Sequence, residues 1–410
     1  MFFIYNILIN IVFFFSPLII IIRILKGKES LKRFKEKFGF FTKKKVAGNL
    51  IWFHGASVGE IQSVIPLIEK IEKDKKIKQI LITSNTLSSS YILKKVNLKK
   101  SVHQFFPIDC NFVSNKFLNY WKPSKAFFID SEIWPNMICN LKSRKIPITL
   151  LNARITKKTF NRWMKLPNFS KFIFSKFSLC LCSNKESINF LKKLGAKKTK
   201  FFGNLKFTQS ETQNVNIDKN LKKFISSRHS WCASSTHYNE EKYFGQAHLR
   251  LKKKYKEIIT IIIPRHVNRI KQIINELNKL NLNVHLDYPK KKIKSNTDIY
   301  LINSYGKTKS IFKICKNVFL GGSLINHGGQ NPLEAARYGC RIFHGPYIAN
   351  FREIYDYLKK IGISHKVSGQ NHLINILEKK MNMKNYSQGT IKKLNLEGKR
   401  ILNKTYNEIC

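Results

Sequence analysis

Acidic residues are scarce in this 410-residue chain: 24 Asp and Glu stand against 75 Lys and Arg, a formal charge of +51. Arginine is also scarce, since only 13 of those basic residues are Arg. A nucleic-acid-binding chain concentrates Arg and Lys into a stripe with aromatics between them. Here Lys is spread along the whole chain beside abundant Asn, Ile and Phe, a pattern of compositional drift toward AT-rich codons. No nucleic-acid partner is expected. Such a surface still favours anionic lipid or a phosphorylated substrate. The eight Cys form no CxxC pair and no Cys/His cluster with metal spacing. Only Cys180 and Cys182 lie close, and buried free thiols of a reducing compartment account for them. Walker A, GxGxxG and Asp-x-Asp motifs are all missing, which argues against a P-loop, a dinucleotide site and a metal held against phosphate. No cofactor and no metal are expected.

Charge is absent altogether from residues 2–22, a run of mostly Phe and Ile. About 20 apolar residues suffice to span a bilayer core. Arg23, Lys26, Lys28, Lys32, Arg33, Lys35 and Lys37 follow, so the positive-inside rule puts the remainder in the cytoplasm. A cleaved signal peptide needs positive charge before the apolar run and a small-residue cleavage site after it. Neither is present. Residues 1–25 therefore read as a membrane anchor, either spanning or lying in the interface.

With 43% apolar and 12% aromatic residues, the rest of the chain is folded, and its length suits two domains. Short apolar runs at Leu50–His54, Gln79–Thr83, Ala126–Asp130, Ile148–Asn152 and Leu179–Ser183 alternate with helical patterns. The pattern resumes at Trp231–Ser234, Ile258–Ile263, Asn283–His285, Ile299–Ile302, Val318–Leu320 and Arg341–His344. Such alternation predicts parallel sheets covered by helices. The polar, aperiodic stretch Thr208–Lys219 reads as a linker. The expectation is an N-terminal domain over residues 26–210 and a C-terminal domain over 220–410, both Rossmann-like and doubly wound.

Several strand ends carry polar groups. His54–Glu60 (HGASVGE) spaces Ser57 and Glu60 as a capping box, and also presents a carboxylate able to act as general base. Ser131–Asn136 (SEIWPN) places Asp130 and Glu132 before a helix. Leu151–Thr156 (LNARIT) offers Asn152 and Arg154, and Gly203–Phe207 (GNLKF) offers Lys206. In the second half, Ala233–Glu241 (ASSTHYNEE) supplies Ser235 and Thr236 at a helix start. Pro264–His266 (PRH) holds Arg265, whose fork suits phosphate or carboxylate. Gly321–Glu334 (GGSLINHGGQNPLE) combines glycines that let backbone approach a ligand, His327, and Asn331 capping a helix with Pro332 at its first position. A helix amino terminus there reads as an anion site, and Glu334 as an acceptor for ribose hydroxyls. Asn350 follows the next strand.

These seven motifs, in order, resemble the transferases of 3-deoxy-D-manno-octulosonic acid (Kdo) in lipopolysaccharide synthesis, over nearly the whole chain to about residue 360. The resemblance implies a GT-B fold, two doubly wound domains facing a cleft. It implies CMP-Kdo as donor, lipid IVA or a related lipid A precursor as acceptor, inversion at the anomeric carbon, and no metal. By the same resemblance Glu60 is the general base, and Glu132 and Lys206 stabilise the transition state. Pro264, Arg265, Tyr305, Gly306, Lys307, Asn331, Pro332, Leu333 and Glu334 fall on the CMP-binding positions. Ser57, Arg154, Ser235, Thr236, His327 and Asn350 are further candidates. Lys307 departs from the family pattern, which has Glu there. Localisation at the cytoplasmic face of a bacterial inner membrane follows. The alternatives are a GT-B transferase of another nucleotide sugar and a degenerate, membrane-tethered binder of anionic ligands. Retention of Glu60, Glu132 and Arg265 argues against the second.

Overall fold

A computed structural model of the chain describes all residues except 210–215, 289–291 and 382–387. The chain forms two compact units, one of Met1–Ser210 with Leu396–Cys410, the other of Glu211–Asn395. The middle of the expected linker lies outside the described residues.

The first unit holds a seven-stranded sheet of β1 (Leu50–His54), β2 (Gln79–Ser84), β3 (Ser101–Phe105), β4 (Lys125–Ile129), β5 (Ile148–Ala153), β6 (Leu179–Cys182) and β7 (Thr199–Phe201). Their order is β3-β2-β1-β4-β5-β6-β7, and every pairing is parallel. Parallel strands are covered on both faces and so read as continuous apolar runs. β1, LIWFH, is buried at all five positions. Its Trp52 packs with Phe117 and Phe128 in the core. The chain starts in the middle of the sheet, winds to one edge, then returns to wind to the other. That reversal puts a switch point between β1 and β4, and ligands of such sheets bind beyond the strand ends there.

The second unit repeats the plan with β8 (Ser230–Thr236), β9 (Ile259–Pro264), β10 (Val284–Leu286), β11 (Ile299–Leu301), β12 (Asn317–Leu320), β13 (Arg341–His344) and β14 (Ser364–Lys366). The order is β10-β11-β9-β8-β12-β13-β14, again parallel throughout. Its switch point lies between β8 and β12. Trp231, Phe244 and Phe319 centre its core.

One expectation needs correction. The C-terminal domain does not run to residue 410, because the last helix, Gln388–Ile409, ends in the first unit. Lys200 Nζ meets Glu408 Oε2 at 2.6 Å and Lys125 Nζ meets the Ile409 carbonyl at 2.6 Å, while Ile401 and Ile409 are buried. The apolar N-terminal helix, Phe2–Leu25, falls within the expected anchor segment and packs along the first unit. Phe2, Tyr5, Ile9, Phe13, Ser16 and Ile20 form one stripe, at helical spacing, that is wholly or half buried. Phe2 packs on Phe169 and Phe172, and Phe13 on Phe38 and Phe112. The opposite face exposes Phe3, Leu8, Phe14, Phe15, Leu18 and Ile21, among others.

Candidate active site

The loops leaving β1, β4 and β5 and the short 3-10 turn Leu205–Thr208 bring the first unit's candidates together. Beyond β1 the helix Val58–Glu72 begins with Ser57 as its cap. The Ser57 hydroxyl accepts the Glu60 amide at 3.4 Å and donates to Glu60 Oε1 at 2.7 Å. The Ala56 amide donates to Glu60 Oε2 at 2.7 Å. Ser57 therefore caps the helix, while Glu60 reaches back to the Ala56 amide rather than to that of Ser57, and the same contacts aim the carboxylate. Burial pushes the Glu60 pKa up to about 7, with the charges of Glu132 and Asp130 adding to it and the bonds from Ser57 and Ala56 opposing. A helix amino terminus alone suggests a Glu60 fully ionised at neutral pH. Burial, with the carboxylates of another strand end adding to it, overrules that, and the group is poised near neutrality, as a general base needs.

Glu132 follows β4. Its Oε2 accepts the Trp134 indole N–H at 2.9 Å and lies 3.3 Å from His54 Nε2. His54, the last residue of β1, is fully buried, and burial lowers its pKa, so the ring is neutral at pH 7. His54 Nδ1 lies 2.9 Å from Thr83 Oγ1. Asp130 takes a left-handed conformation (φ 57°) and accepts from Asn152 Nδ2 at 2.6 Å. Asn152 in turn accepts the Leu205 amide at 2.8 Å, which links β4, β5 and the turn bearing Lys206. Burial raises the Asp130 pKa, while the nearby charges of Lys206 and Arg154 pull it down. Glu60, Glu132, Lys206, Ser57 and Arg154 thus share one polar cluster at the switch point of the first sheet. Asn152 was legible as a polar strand end. The part played by His54 was not.

In the second unit the candidates flank β8, β9 and β12. Arg265 is exposed, and its amide donates to the Thr236 carbonyl at 2.9 Å. Three histidine rings gather beside it, His237 lying 4.3 Å from His327 and 6.1 Å from His266 between centroids. Burial lowers the His237 pKa to about 4, with His327, His266 and Arg265 contributing. Thr236 donates to Glu241, which also takes a two-pronged bond from Arg269 at 2.9 and 3.1 Å. Ser235 is left-handed at φ 58°.

The glycine loop differs from expectation. The buried Glu240 carboxylate accepts the amides of His237, Gly322 and Leu324 at 3.0, 2.8 and 3.2 Å. A Cβ on Gly321 would come within 2.5 Å of the Ser235 carbonyl oxygen and 2.7 Å of Thr236 Cα. The glycine answers to protein packing, and two loop amides are already engaged. Asn350 likewise braces the loop, donating to the His327 carbonyl at 3.2 Å. The helix after Asn331 begins at Leu333, not Pro332, and spans only Leu333–Arg337. Asn331 Oδ1 still accepts the Leu333 amide at 3.1 Å. So short a helix makes a weak anion site, and the Arg265 guanidinium, with the histidine rings beside it as hydrogen-bonding groups, is the stronger one. Glu334 lies 3.9 Å from Lys309. Lys307 pairs with Asp287, which also accepts the Tyr300 hydroxyl at 2.7 Å. A cavity of about 510 Å³ opens there, lined by Asp218, Asp287, Gly306, Lys307, Lys309 and Ser310 among others. Tyr305 is exposed. Among the described residues no group of three or more His, Cys, Asp or Glu is placed to hold a metal ion.

A family model described as 3-deoxy-D-manno-octulosonic-acid transferase (kdotransferase) matches residues 32–209. A 3-deoxy-D-manno-octulosonic acid transferase from Rickettsia bellii is 31% identical over 91% of this chain and 91% of its own. The chain belongs to this family. The Haemophilus influenzae transferase is 28% identical over 82% of this chain and 80% of its own. A UDP-GlcNAc 2-epimerase structure from Neisseria meningitidis, 14% identical, aligns over 88% of this chain and all of its own with a TM-score of 0.56, a likeness of GT-B-type fold alone. The activity is Kdo transfer, a glycosyl-transfer step of lipopolysaccharide synthesis.

Proposed function

We propose that this Kdo transferase takes its sugar from CMP-Kdo, delivers it to lipid IVA or a related lipid A precursor with inversion, and works at the cytoplasmic face of a bacterial inner membrane. The observation that carries this reading is Glu60, aimed by Ser57 and Ala56 at a strand end and held at a pKa of about 7 beside Glu132. A sugar hydroxyl is a poor nucleophile until its proton is taken. Glu60 removes that proton as the oxygen attacks the anomeric carbon and CMP leaves. Single displacement by an activated hydroxyl inverts the centre. Glu132 and Lys206 border the same cluster and stabilise the charge that moves between nucleophile and leaving group.

The CMP phosphate suits the guanidinium of Arg265 with the histidine rings beside it, and the ribose and base suit the neighbourhood of Tyr305–Lys307 and Asn331–Glu334. One phosphate charge needs no metal when a guanidinium is at hand. The exposed apolar face of Phe2–Leu25 suits a lipid bilayer, and its packing along the first unit favours a helix lying in the interface over one spanning clear of the protein. Four of the following basic residues, Lys26, Lys28, Lys32 and Lys35, remain exposed for anionic headgroups. Arg23, Arg33 and Lys37 are engaged by Glu29 and Glu36. Incubating the full chain with CMP-Kdo and lipid IVA in excess EDTA, then weighing the lipid, tests the reading. A mass gain of one or more Kdo units is expected. No adduct, or an adduct only on adding magnesium, would overturn the donor, acceptor or metal assignment.

A further inference from the structure

We infer that Tyr5 and Asp109 form a positioning link, by which the N-terminal apolar helix holds the turn that carries Glu132 in its working geometry. The inference rests on the reading of Glu132 as part of the transfer machinery. The helix Pro135–Ser143 has Trp134 at its cap position, and Trp134 offers no side-chain acceptor for the first amides. Uncapped amides in a buried setting are costly. Asp109, from the loop after β3, fills the role from a distance. Its Oδ2 accepts the Asn136 amide at 2.9 Å and its Oδ1 the Met137 amide at 2.8 Å. Its carbonyl takes the Asn136 side-chain amide at 2.6 Å. Asp109 is 1% exposed, so this carboxylate relies wholly on protein donors. One of those donors is the Tyr5 hydroxyl, 2.7 Å from Oδ2, reaching across 104 residues from the apolar helix. The next residue, Cys110, is 3.5 Å by its thiol from the Ile9 carbonyl one turn further along.

The same loop reaches Glu132 by a second route. Phe106 stacks on His54 with centroids 3.9 Å apart and lies 5.1 Å from Trp134. His54 and the Trp134 indole both touch the Glu132 carboxylate. A shift of the Asp109 loop therefore moves the helix start, the indole and the imidazole together. Tyr5 acts through Asp109 and does not itself meet substrate. Phe13 instead packs its ring on Phe38 and Phe112, and that contact supplies no hydrogen bond to Asp109.

The test uses the full chain in vesicles of phosphatidylethanolamine and phosphatidylglycerol, comparing Tyr5→Phe, Asp109→Asn, Phe13→Ala and Glu132→Gln. Tyr5→Phe and Asp109→Asn are expected to lower kcat five-fold or more while the donor KM and CMP affinity stay within two-fold. Phe13→Ala is expected to lower Tm but leave kcat within two-fold. A further readout separates positioning from stability. Asp130 and Glu132 both raise the Glu60 pKa, with Lys206 and Arg154 beside Asp130 and neutral His54 beside Glu132. Displacing Glu132 therefore shifts the acid limb of the Tyr5→Phe pH–rate profile downward, which loss of folded protein does not. If Asp109→Asn does not fold, Tyr5→Phe decides. Wild-type kcat and pH profile in Tyr5→Phe would overturn the link, as would an equal loss of kcat in Phe13→Ala. Should Glu132→Gln retain full activity, the reading of Glu132 has failed instead.

Discussion

At the scale of single residues the central result is a carboxyl group, Glu60, held near pH 7 by burial and by its neighbours. Its folded pKa of about 7 stands above the ordinary carboxyl value, so the neutral form is the one the fold prefers. The stability it contributes is fully present below pH 4.5 and is lost as pH rises through about 7. Glu60→Gln cannot ionise and keeps an acceptor for the Ala56 amide. Its Tm should accordingly fall less than that of the wild type between pH 5 and pH 8, in parallel melts. The same variant should lose transfer by roughly 10²–10⁴-fold, the usual contribution of a positioned base. Substantial turnover by Glu60→Gln would remove the base assignment. A second expectation concerns the neighbour. Removing the Glu132 charge with Glu132→Gln lowers the Glu60 pKa, so the acid limb of whatever activity survives should move to lower pH. An unmoved limb would mean the two carboxylates do not sense each other. The spacing of Ser57 and Glu60 made the cap readable in the sequence. The poise was not readable, because its causes are burial by the fold and carboxylates some 70 residues away at the end of another strand.

At the scale of elements, eleven of the strands stand close to where apolar runs put them, since interior parallel strands are buried on both faces. Three escaped: β3 (SVHQF), β7 (TKF) and β14 (SHK). All three are edge strands, short or half exposed, and edges carry polar residues that break the apolar pattern. Missing β3 also hid Asp109, which gains its meaning only from the loop that β3 starts. The glycine loop illustrates the opposite failure. Its composition suggested room for a ligand, whereas Gly321 is needed because β8's end lies against it. Gly321→Ala should destabilise the second unit by about 1–3 kcal/mol, as overpacking does, and weaken CMP binding by displacing Glu240 and the His237–His327 pair. Calorimetric unfolding together with CMP titration checks this. A variant with wild-type stability would return the glycine to the role of ligand contact.

For the molecule as a whole, the order of motifs along the chain located both clusters, because doubly wound sheets place functional loops at strand ends whatever the intervening sequence. Tertiary facts that need distant partners were out of reach, among them the return of the last helix to the first unit and the seating of the first helix on it. That seating changes what truncation should do. A detached tether could be removed with no effect on folding. Removing residues 1–25 here uncovers the faces met by Phe2, Phe13 and Ile20 and leaves the buried Asp109 carboxylate without the Tyr5 hydroxyl. Truncation should therefore release the protein from vesicles and also lower the Tm of the first unit. What binding remains rests on Lys26, Lys28, Lys32 and Lys35, which face solvent. Attraction between exposed charges and anionic headgroups is screened within about 10 Å at 0.1 M salt. Flotation of the truncated protein with phosphatidylglycerol vesicles should fall away between low salt and 0.5 M sodium chloride, while the full chain stays bound through its apolar face. Equal flotation of both proteins at high salt would show that the membrane contact lies elsewhere on the molecule.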